Sequence, residues 1–203
     1  MAIVAMLGAM VPVLLEAKRL AWNLRRAFWL APACTAIGFL GSHLMFAITQ
    51  THLSTSEWFE MLFRVGYGHV WFGGFLASWA YCYMYARHNG ISLLRMFDVG
   101  SFAVLIAQPL GRVGCLLNGC CYGQPTNLPW GVVLPTREFG VTSVHPVQMY
   151  EALFQSLIFI YLWSRRTKQD GYVFWRYMFI VPAGRFFLEF LRGDSIGGTV
   201  FGI

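Results

Sequence analysis

Six long apolar runs leave few folds open to this chain. They cover approximately residues 1–15, 27–49, 69–86, 98–118, 147–163 and 172–191. Only 12% of the residues are charged, compared with about 25% in a usual soluble domain. A membrane-spanning helix needs about 20 apolar residues, whereas the strands of a membrane barrel alternate apolar and polar residues. These runs do not alternate, so we predict an all-α, polytopic transmembrane bundle of about six spans. The spans follow one another closely, which predicts a single membrane-embedded domain over residues 1–203.

Basic residues are concentrated in alternate loops between the apolar runs. Loops 50–68 and 119–146 are poorer in them, and the positive-inside rule places the richer loops in the cytoplasm. We therefore predict a multi-pass membrane protein, with loop 119–146 and the functional site on the outer side, which is the periplasmic side in a Gram-negative cell. The net charge of +6 then reflects membrane topology, and we expect no nucleic-acid partner. The basic loops contain Lys18, Arg19, Arg25, Arg26, Arg87, Arg95, Arg165, Arg166 and Lys168.

Charged residues also occur inside or beside two of the apolar runs. Arg112 lies in the fourth run, and Arg185, Glu189 and Arg192 lie in or just after the sixth. An arginine at the centre of a membrane helix costs about 2.5–3.5 kcal/mol, so such residues usually face the bundle interior and mark a site. One interpretation of the sixth-run residues is an internal ion pair of Glu189 with Arg185 or Arg192.

The segment after Arg112, "GRVGCLLNGCCYGQPT", favours a binding role. Its glycines, including Gly123, let backbone approach a ligand closely, and Asn118 adds a side-chain donor. A planar guanidinium donates bidentate hydrogen bonds to a phosphate. We therefore predict that Arg112 binds the phosphate of an anionic lipid head group.

A second polar cluster begins the fifth apolar run, in "HPVQMYEALFQ". Gln148 and Glu151 are three residues apart and share a helix face. Tyr150 fits an anchor at the membrane interface. Together with His145, these residues form a concentration of polar groups at one membrane edge, which predicts a site there.

The chain has five cysteines, at positions 34, 82, 115, 120 and 121. Their odd number and the two that fall inside apolar runs are not typical of a secreted disulfide framework. A metal site of Cys115, Cys120, Cys121 and His145 is a possible alternative, but Cys-x4-Cys-Cys is not a common zinc spacing. From the spacing we expect no metal. The paired glycines of "WFGGF" at 71–75 predict close helix packing.

These motifs together resemble the prolipoprotein diacylglyceryl transferase family. "GRVGCLLNGCCYGQPTNLPWGVV", "HPVQMYEAL" and "GRFFLEFLRGD" are similar to three elements of that family and occur in its order. The resemblance implies an enzyme that transfers a diacylglyceryl group from phosphatidylglycerol to the thiol of a lipobox cysteine in a prolipoprotein, releasing glycerol phosphate. It implies no cofactor. The positions that match are Arg112, Asn118, Gly123, His145, Gln148, Tyr150, Glu151, Arg185, Glu189 and Arg192.

Roles follow from this resemblance and from the chemistry of thioether formation. Arg112 and Arg185 are expected to clamp the leaving phosphate, and His145 is the candidate general base or orienting group. The other matching positions are expected to bind substrate. The expected partners are phosphatidylglycerol or a related anionic phospholipid, membrane lipid, and the signal peptide of a prolipoprotein.

The chain also departs from the family pattern. Cys115 replaces an asparagine, Cys120 a glutamate, Phe72 a histidine and His43 an arginine. Three alternatives therefore remain open beside the transferase. The chain is a divergent paralogue with another acceptor, a non-catalytic lipid-binding or scaffold protein, or a thiol-redox protein that uses Cys115, Cys120 and Cys121.

Overall fold

The computed structural model describes residues 2–49, 70–136 and 139–193. Six helices and one two-stranded sheet lie in these ranges. They are α1 (Ala2–Arg19), α2 (Leu24–Thr49), α3 (Trp71–Asn89), α4 (Leu93–Leu117), β1 (Val132–Thr136), β2 (Gly140–Val144), α5 (Val147–Ser164) and α6 (Tyr172–Glu189).

Each predicted apolar run overlaps one of these helices. By length and composition, α2 and α4 are long and apolar enough to cross a membrane. The other helices have 18 or 19 residues. The fold is therefore mostly helical, and the number of membrane crossings and their orientation stay predictions.

The prediction of an all-α fold is wrong in one place. Strands β1 and β2 form an antiparallel hairpin in loop 119–146, with Val132 opposite Val144 and Thr136 opposite Gly140. Valine and threonine are frequent in these strands because β-branched side chains favour extended backbone. Gly140 begins the return strand with φ 68°. The pattern of long apolar runs does not predict the hairpin, because the hairpin lies between two of these runs.

The described residues group into two compact units, 1–12 with 98–203 and 13–97. That the chain forms a single domain stays a prediction.

The first unit has an apolar core made by α4, α5 and α6. Phe102 and Leu105 from α4 pack with Ile158, Leu162 and Val173. All five side chains are buried. This packing fixes the three helices that carry the predicted charged residues.

A carboxylate from one helix caps the start of another in the same unit. Asp98, which is buried, accepts hydrogen bonds from the backbone N–H groups of Gly171 at 2.8 Å, Val173 at 2.9 Å and Phe174 at 2.8 Å. The first N–H groups of a helix have no partner within the helix, and the helix dipole favours an anion there. Asp98 therefore fixes the beginning of α6 against α4.

In the second unit, α2 and α3 approach closely through glycines. A Cβ atom at Gly41 would lie 2.7 Å from the carbonyl oxygen of Gly73, and one at Gly74 would lie 2.9 Å from that of Gly38. Small residues permit such approach between membrane helices. The prediction that the paired glycines serve helix packing is confirmed.

We expect Asp98→Ala to lower the free energy of unfolding by at least about 2 kcal/mol, because three backbone donors lose a charged acceptor. Asp98→Asn retains one carbonyl oxygen and should lose less. Thermal unfolding of both variants in detergent measures the difference. Equal losses in the two variants would contradict the capping role.

Candidate functional site

A buried glutamate joins the three core helices of the first unit. Glu151 on α5 is 2% exposed, and its two carboxylate oxygens face different arginines. Oε2 pairs with Nε of Arg112 on α4, and Oε1 pairs with Nη1 of Arg185 on α6. One carboxylate therefore holds two guanidinium groups that would otherwise repel each other.

The ion pairs continue along α6 toward its end. Arg185 Nη2 lies 3.0 Å from Glu189 Oε2, and Arg192 Nη1 lies 3.6 Å from the same oxygen. The internal ion pairs expected for the sixth run are therefore present. Cations and anions alternate along the cluster, which has three guanidinium groups and two carboxylates. Counted over these five side chains, one positive charge is in excess.

A cavity of about 540 Å³ borders this cluster. Arg112, Glu151 and Arg185 contribute to its wall, with Gln108, Cys115 and Gln155 as further polar lining. The apolar part of the lining comes from Phe154, Val181, Pro182 and Leu188. A cavity with both apolar wall and convergent polar groups is typical of a ligand site.

Gln155 gives the cavity an unused hydrogen-bond acceptor. Its side chain is 6% exposed, and Oε1 has no hydrogen-bond partner within the described part of the chain. Buried polar groups without a partner are rare in native proteins and call for an explanation. The oxygen is therefore available to accept a hydrogen bond in the cavity.

Helix α4 ends in a turn that shapes the signature loop. The N–H of Cys120 donates to the carbonyl of Cys115 at 3.1 Å, and that of Gly119 donates to Leu116 at 3.1 Å. Gly119 has φ 65°. These bonds and this left-handed glycine are the features of a Schellman motif. Gln148, which is buried, then donates its side-chain amide to the carbonyl of Cys120 at 2.7 Å.

Gly123 is explained by close backbone packing. Its N–H donates to the carbonyl of His145 at 2.9 Å. An added Cβ would lie 2.6 Å from the Cβ of His145 and 2.7 Å from the carbonyl oxygen of Leu191. Only glycine fits between these two segments, and its predicted contact with substrate stays a prediction.

His145 and Tyr150 form a separate polar group with Trp130. The Tyr150 hydroxyl accepts a hydrogen bond from Trp130 Nε1 at 2.9 Å and lies 3.3 Å from His145 Nδ1. Neither His145 nor Tyr150 is among the residues that line the cavity. Asn118 is exposed at the end of α4 and does not line it either. The structure thus brings together the predicted charged residues but not these three polar ones.

The three cysteines of the signature loop lie together. The Sγ atoms of Cys115, Cys120 and Cys121 are within 4.8 Å of one another. Burial, followed by repulsion from Cys121 and Cys115, raises the pKa of Cys120 to about 11. The free Cys120 thiol is therefore protonated at neutral pH, which argues against a self-activated redox thiol.

Two departures from the family pattern belong to the second unit. Phe72, at the position of a family histidine, is 63% exposed and makes an edge contact with Trp71. His43 is buried on α2. Phe72 brings no titratable group, so it does not replace a histidine chemically.

Sequence reasoning missed three polar residues. Gln108 and Gln155 line the cavity, and Trp130 bonds to Tyr150. Gln155 lies four residues after Glu151 on one helix, and this i, i+4 spacing is the signal that places both on one face. Gln108 lies four residues before Arg112 and has the same signal.

Fold and site define a mostly helical, membrane-associated protein in which a buried arginine–glutamate cluster borders a ligand-sized cavity. The profile of the prolipoprotein diacylglyceryl transferase family matches residues 1–202. The chain belongs to this family.

Several relatives carry the name phosphatidylglycerol–prolipoprotein diacylglyceryl transferase. The one from Clostridium tetani is 34% identical over 200 residues, which cover 95% of this chain and 80% of the relative. The one from Finegoldia magna is 32% identical over 163 residues, 79% of this chain and 64% of the relative. A Clostridium perfringens protein with that name and the number 2 is 30% identical over 167 residues, 80% and 65% of the two chains. This chain thus spans between 64% and 80% of the length of these three relatives.

We expect Glu151→Gln to lower the free energy of unfolding by about 3–5 kcal/mol, the usual effect of breaking a buried ion pair from one side. Two partly buried guanidinium groups lose their shared anion. Glu189→Gln is the matched control, because Glu189 is 27% exposed and should matter less. Thermal unfolding in detergent compares the two variants, and equal effects would refute the central position of Glu151.

Proposed function

We propose that this protein transfers a diacylglyceryl group from phosphatidylglycerol to the thiol of a lipobox cysteine in a prolipoprotein. The family membership supports this reaction, as do the names of the relatives. The structural observation that carries the proposal is the pair of arginines, Arg112 and Arg185, which share Glu151 and line one cavity.

The geometry suits the head group of the proposed donor. The arginine cluster has one positive charge in excess among its five side chains, which offsets the single negative charge of a phosphodiester. Guanidinium groups bind phosphate oxygens in a planar, bidentate manner. The unpartnered oxygen of Gln155 accepts a hydrogen bond from a glycerol hydroxyl. The apolar lining, which includes Phe154 and Val181, accommodates the start of the acyl chains.

The reaction forms one bond and breaks another. The acceptor sulfur attacks the glyceryl carbon that bears the phosphate, and the carbon–oxygen bond to phosphate breaks. Glycerol phosphate leaves with the electron pair on its oxygen, and the thiol proton passes to the general base, for which His145 is the candidate. Arg112 and Arg185 stabilise the charge that grows on the leaving phosphate, which preorganised cations do best in a site that excludes water.

The remaining predicted residues have supporting roles in this proposal. Gln148 holds the signature loop through Cys120, Glu189 and Arg192 extend the charge cluster, and Gly123 packs the loop against His145. His145, Tyr150 and Asn118 are proposed to contact the acceptor peptide. His145 remains the candidate base, although it does not line the cavity.

We also propose that the chain crosses the bacterial inner membrane six times, with loop 119–146 on the periplasmic side. The alternation of basic and less basic loops supports this orientation. A periplasmic site gives access to the signal peptide of an exported prolipoprotein. No nucleic-acid partner takes part in the proposed transfer step.

Arg112→Ala should lower phosphatidylglycerol turnover by about ten- to a hundredfold, because a charged hydrogen bond contributes about 1.5–3 kcal/mol and each 1.4 kcal/mol is about a factor of ten. Arg112→Lys keeps the charge but loses the planar fork, so it should also impair transfer. The assay measures release of labelled glycerol phosphate with a lipobox peptide as acceptor, per folded molecule in detergent.

Arg87→Ala is the matched control for the arginine test, since Arg87 is exposed at the end of α3 and should leave turnover within about twofold. Reduced folding yield with normal turnover in Arg112→Ala would show a purely structural arginine. Phosphatidylglycerol binding by the unsubstituted protein without any transfer would favour the non-catalytic lipid-binding alternative.

Cysteines introduced at Asn127 and Thr142 should react with an impermeant thiol reagent added outside the cell, whereas one at Lys168 should not. The reason is the predicted orientation of the basic loops. Labelling is measured in intact cells, in a variant whose native cysteines are replaced. Permeabilised cells provide the control, since all three positions should then react. The opposite pattern would overturn the orientation.

A further inference from the structure

The turn at the end of α4 brings three thiols into one place. In a Schellman motif the residue after the left-handed glycine lies against the residue five positions earlier. Here those two positions are Cys120 and Cys115, joined by a backbone hydrogen bond of 3.1 Å. A spacing of Cys-x4-Cys therefore places two sulfurs side by side, although it is not a common zinc spacing.

Cys121 completes the group through an unusual backbone conformation. Its φ is 62°, in the left-handed region that residues other than glycine seldom adopt. Such conformations persist where the surrounding structure enforces them and are frequent at ligand sites. The result is a cluster in which all three Sγ atoms lie within 4.8 Å of one another.

These distances suit a thiophilic metal ion. With zinc–sulfur bonds of about 2.3 Å, the sulfurs of a tetrahedral site are about 3.8 Å apart. Small side-chain rotations therefore suffice to bring the three cysteines to that spacing. The expectation of no metal rests on the sequence spacing and on the replacement of Asn and Glu by Cys in the family pattern, and neither takes account of the turn that brings the cysteines together.

The number of ligands indicates a reactive site more than a structural one. Among the described residues, no further histidine, cysteine, aspartate or glutamate joins the three sulfurs. Structural zinc sites use four protein ligands, whereas catalytic ones use three and leave a fourth position for water or substrate. One of the three cysteines, Cys115, also lines the cavity that contains Arg112 and Arg185.

We propose that Cys115, Cys120 and Cys121 bind one zinc ion as thiolates, and that the acceptor thiol occupies its fourth position. The second half of this inference rests on the proposed transferase function. Zinc deprotonates a coordinated thiol, and the thiolate is the nucleophile in sulfur alkylation. The site thus supplies the thiol activation that the residues lining the cavity, which include no histidine, do not provide.

In the transfer step the acceptor thiol would replace zinc-bound water and lose its proton to solvent. Its sulfur forms a bond to the glyceryl carbon, while the carbon–oxygen bond to phosphate breaks and the electron pair leaves with glycerol phosphate. The product is a neutral thioether, a weaker zinc ligand than a thiolate, so it dissociates and water returns.

The binding test uses the full chain, purified in detergent with a reductant, and zinc as the probe. Elemental analysis should find about one zinc per chain, and cobalt substitution should give a thiolate-to-cobalt absorption band. Each single Cys→Ser substitution at position 115, 120 or 121 should weaken zinc binding by at least about tenfold, since even residues behind the ligands contribute that much. The triple variant should lose stoichiometric metal.

The other cysteine pair provides the matched control. Cys34 and Cys82 lie with their sulfurs 3.9 Å apart in the second unit, so the double variant Cys34→Ser, Cys82→Ser should keep its zinc. The proposed site would be overturned if the double variant lost its metal or if the triple variant kept its zinc. Copper in place of zinc in the purified protein would overturn it as well.

The transfer assay tests the second half separately. The double variant Cys120→Ser, Cys121→Ser, whose residues do not line the cavity, should bind phosphatidylglycerol within about twofold of normal. The triple variant should lose most transfer, and chelation should inhibit the unsubstituted protein until zinc is returned. Unchanged transfer in the triple variant would overturn acceptor activation by zinc. If the unsubstituted protein binds zinc at the three cysteines but transfers no diacylglyceryl group, acceptor activation by zinc is overturned too, because the transferase function on which it rests is then absent.

Discussion

The carboxylate of Glu151 is the group on which the rest of the site depends. It is buried among three helices, and each of its oxygens pairs with an arginine from a different neighbour. Without it, Arg112 and Arg185 would face each other in an apolar bundle and repel. With it, both side chains are held in place while one positive charge of the cluster remains in excess among its described members. The same contact thus joins the three helices and leaves a net positive charge beside the cavity.

The loop between α4 and α5 is fixed mainly by backbone hydrogen bonds. Gly123 and Gln124 bond to His145, and Gln124 also bonds to Leu191 beyond the end of α6. The side chain of Gln148 bonds to the carbonyl of Cys120. These bonds tie the loop to both following helices, so the residues after the C-terminal end of α4 are held beside the charge cluster.

The structure shows where three of the departures from the family pattern lie. Cys115 and Cys120, which replace two polar residues, lie beside Cys121 within one turn. Phe72, which replaces a histidine, is exposed and offers no proton-transfer group. The charged residues of the family pattern remain in one connected cluster. The charged cluster of the family pattern is therefore retained, while the residues at four other positions differ from that pattern.

The sequence by itself determined the helices and indicated four charged residues of the cluster, but it placed the fifth, Glu151, in a separate polar group. Apolar runs predict helices because burial and backbone hydrogen bonding are local requirements, and an arginine inside such a run indicates a polar interior. The sequence also carried the family pattern. Tertiary structure decided which charges pair: Glu151 bridges Arg112 and Arg185, which are 39 and 34 residues away from it. It also separated His145 from the cavity, added Gln108 and Gln155 to the lining, and gathered the three thiols. These outcomes depend on how helices pack and on the direction of one turn, and neither is encoded in residue spacing.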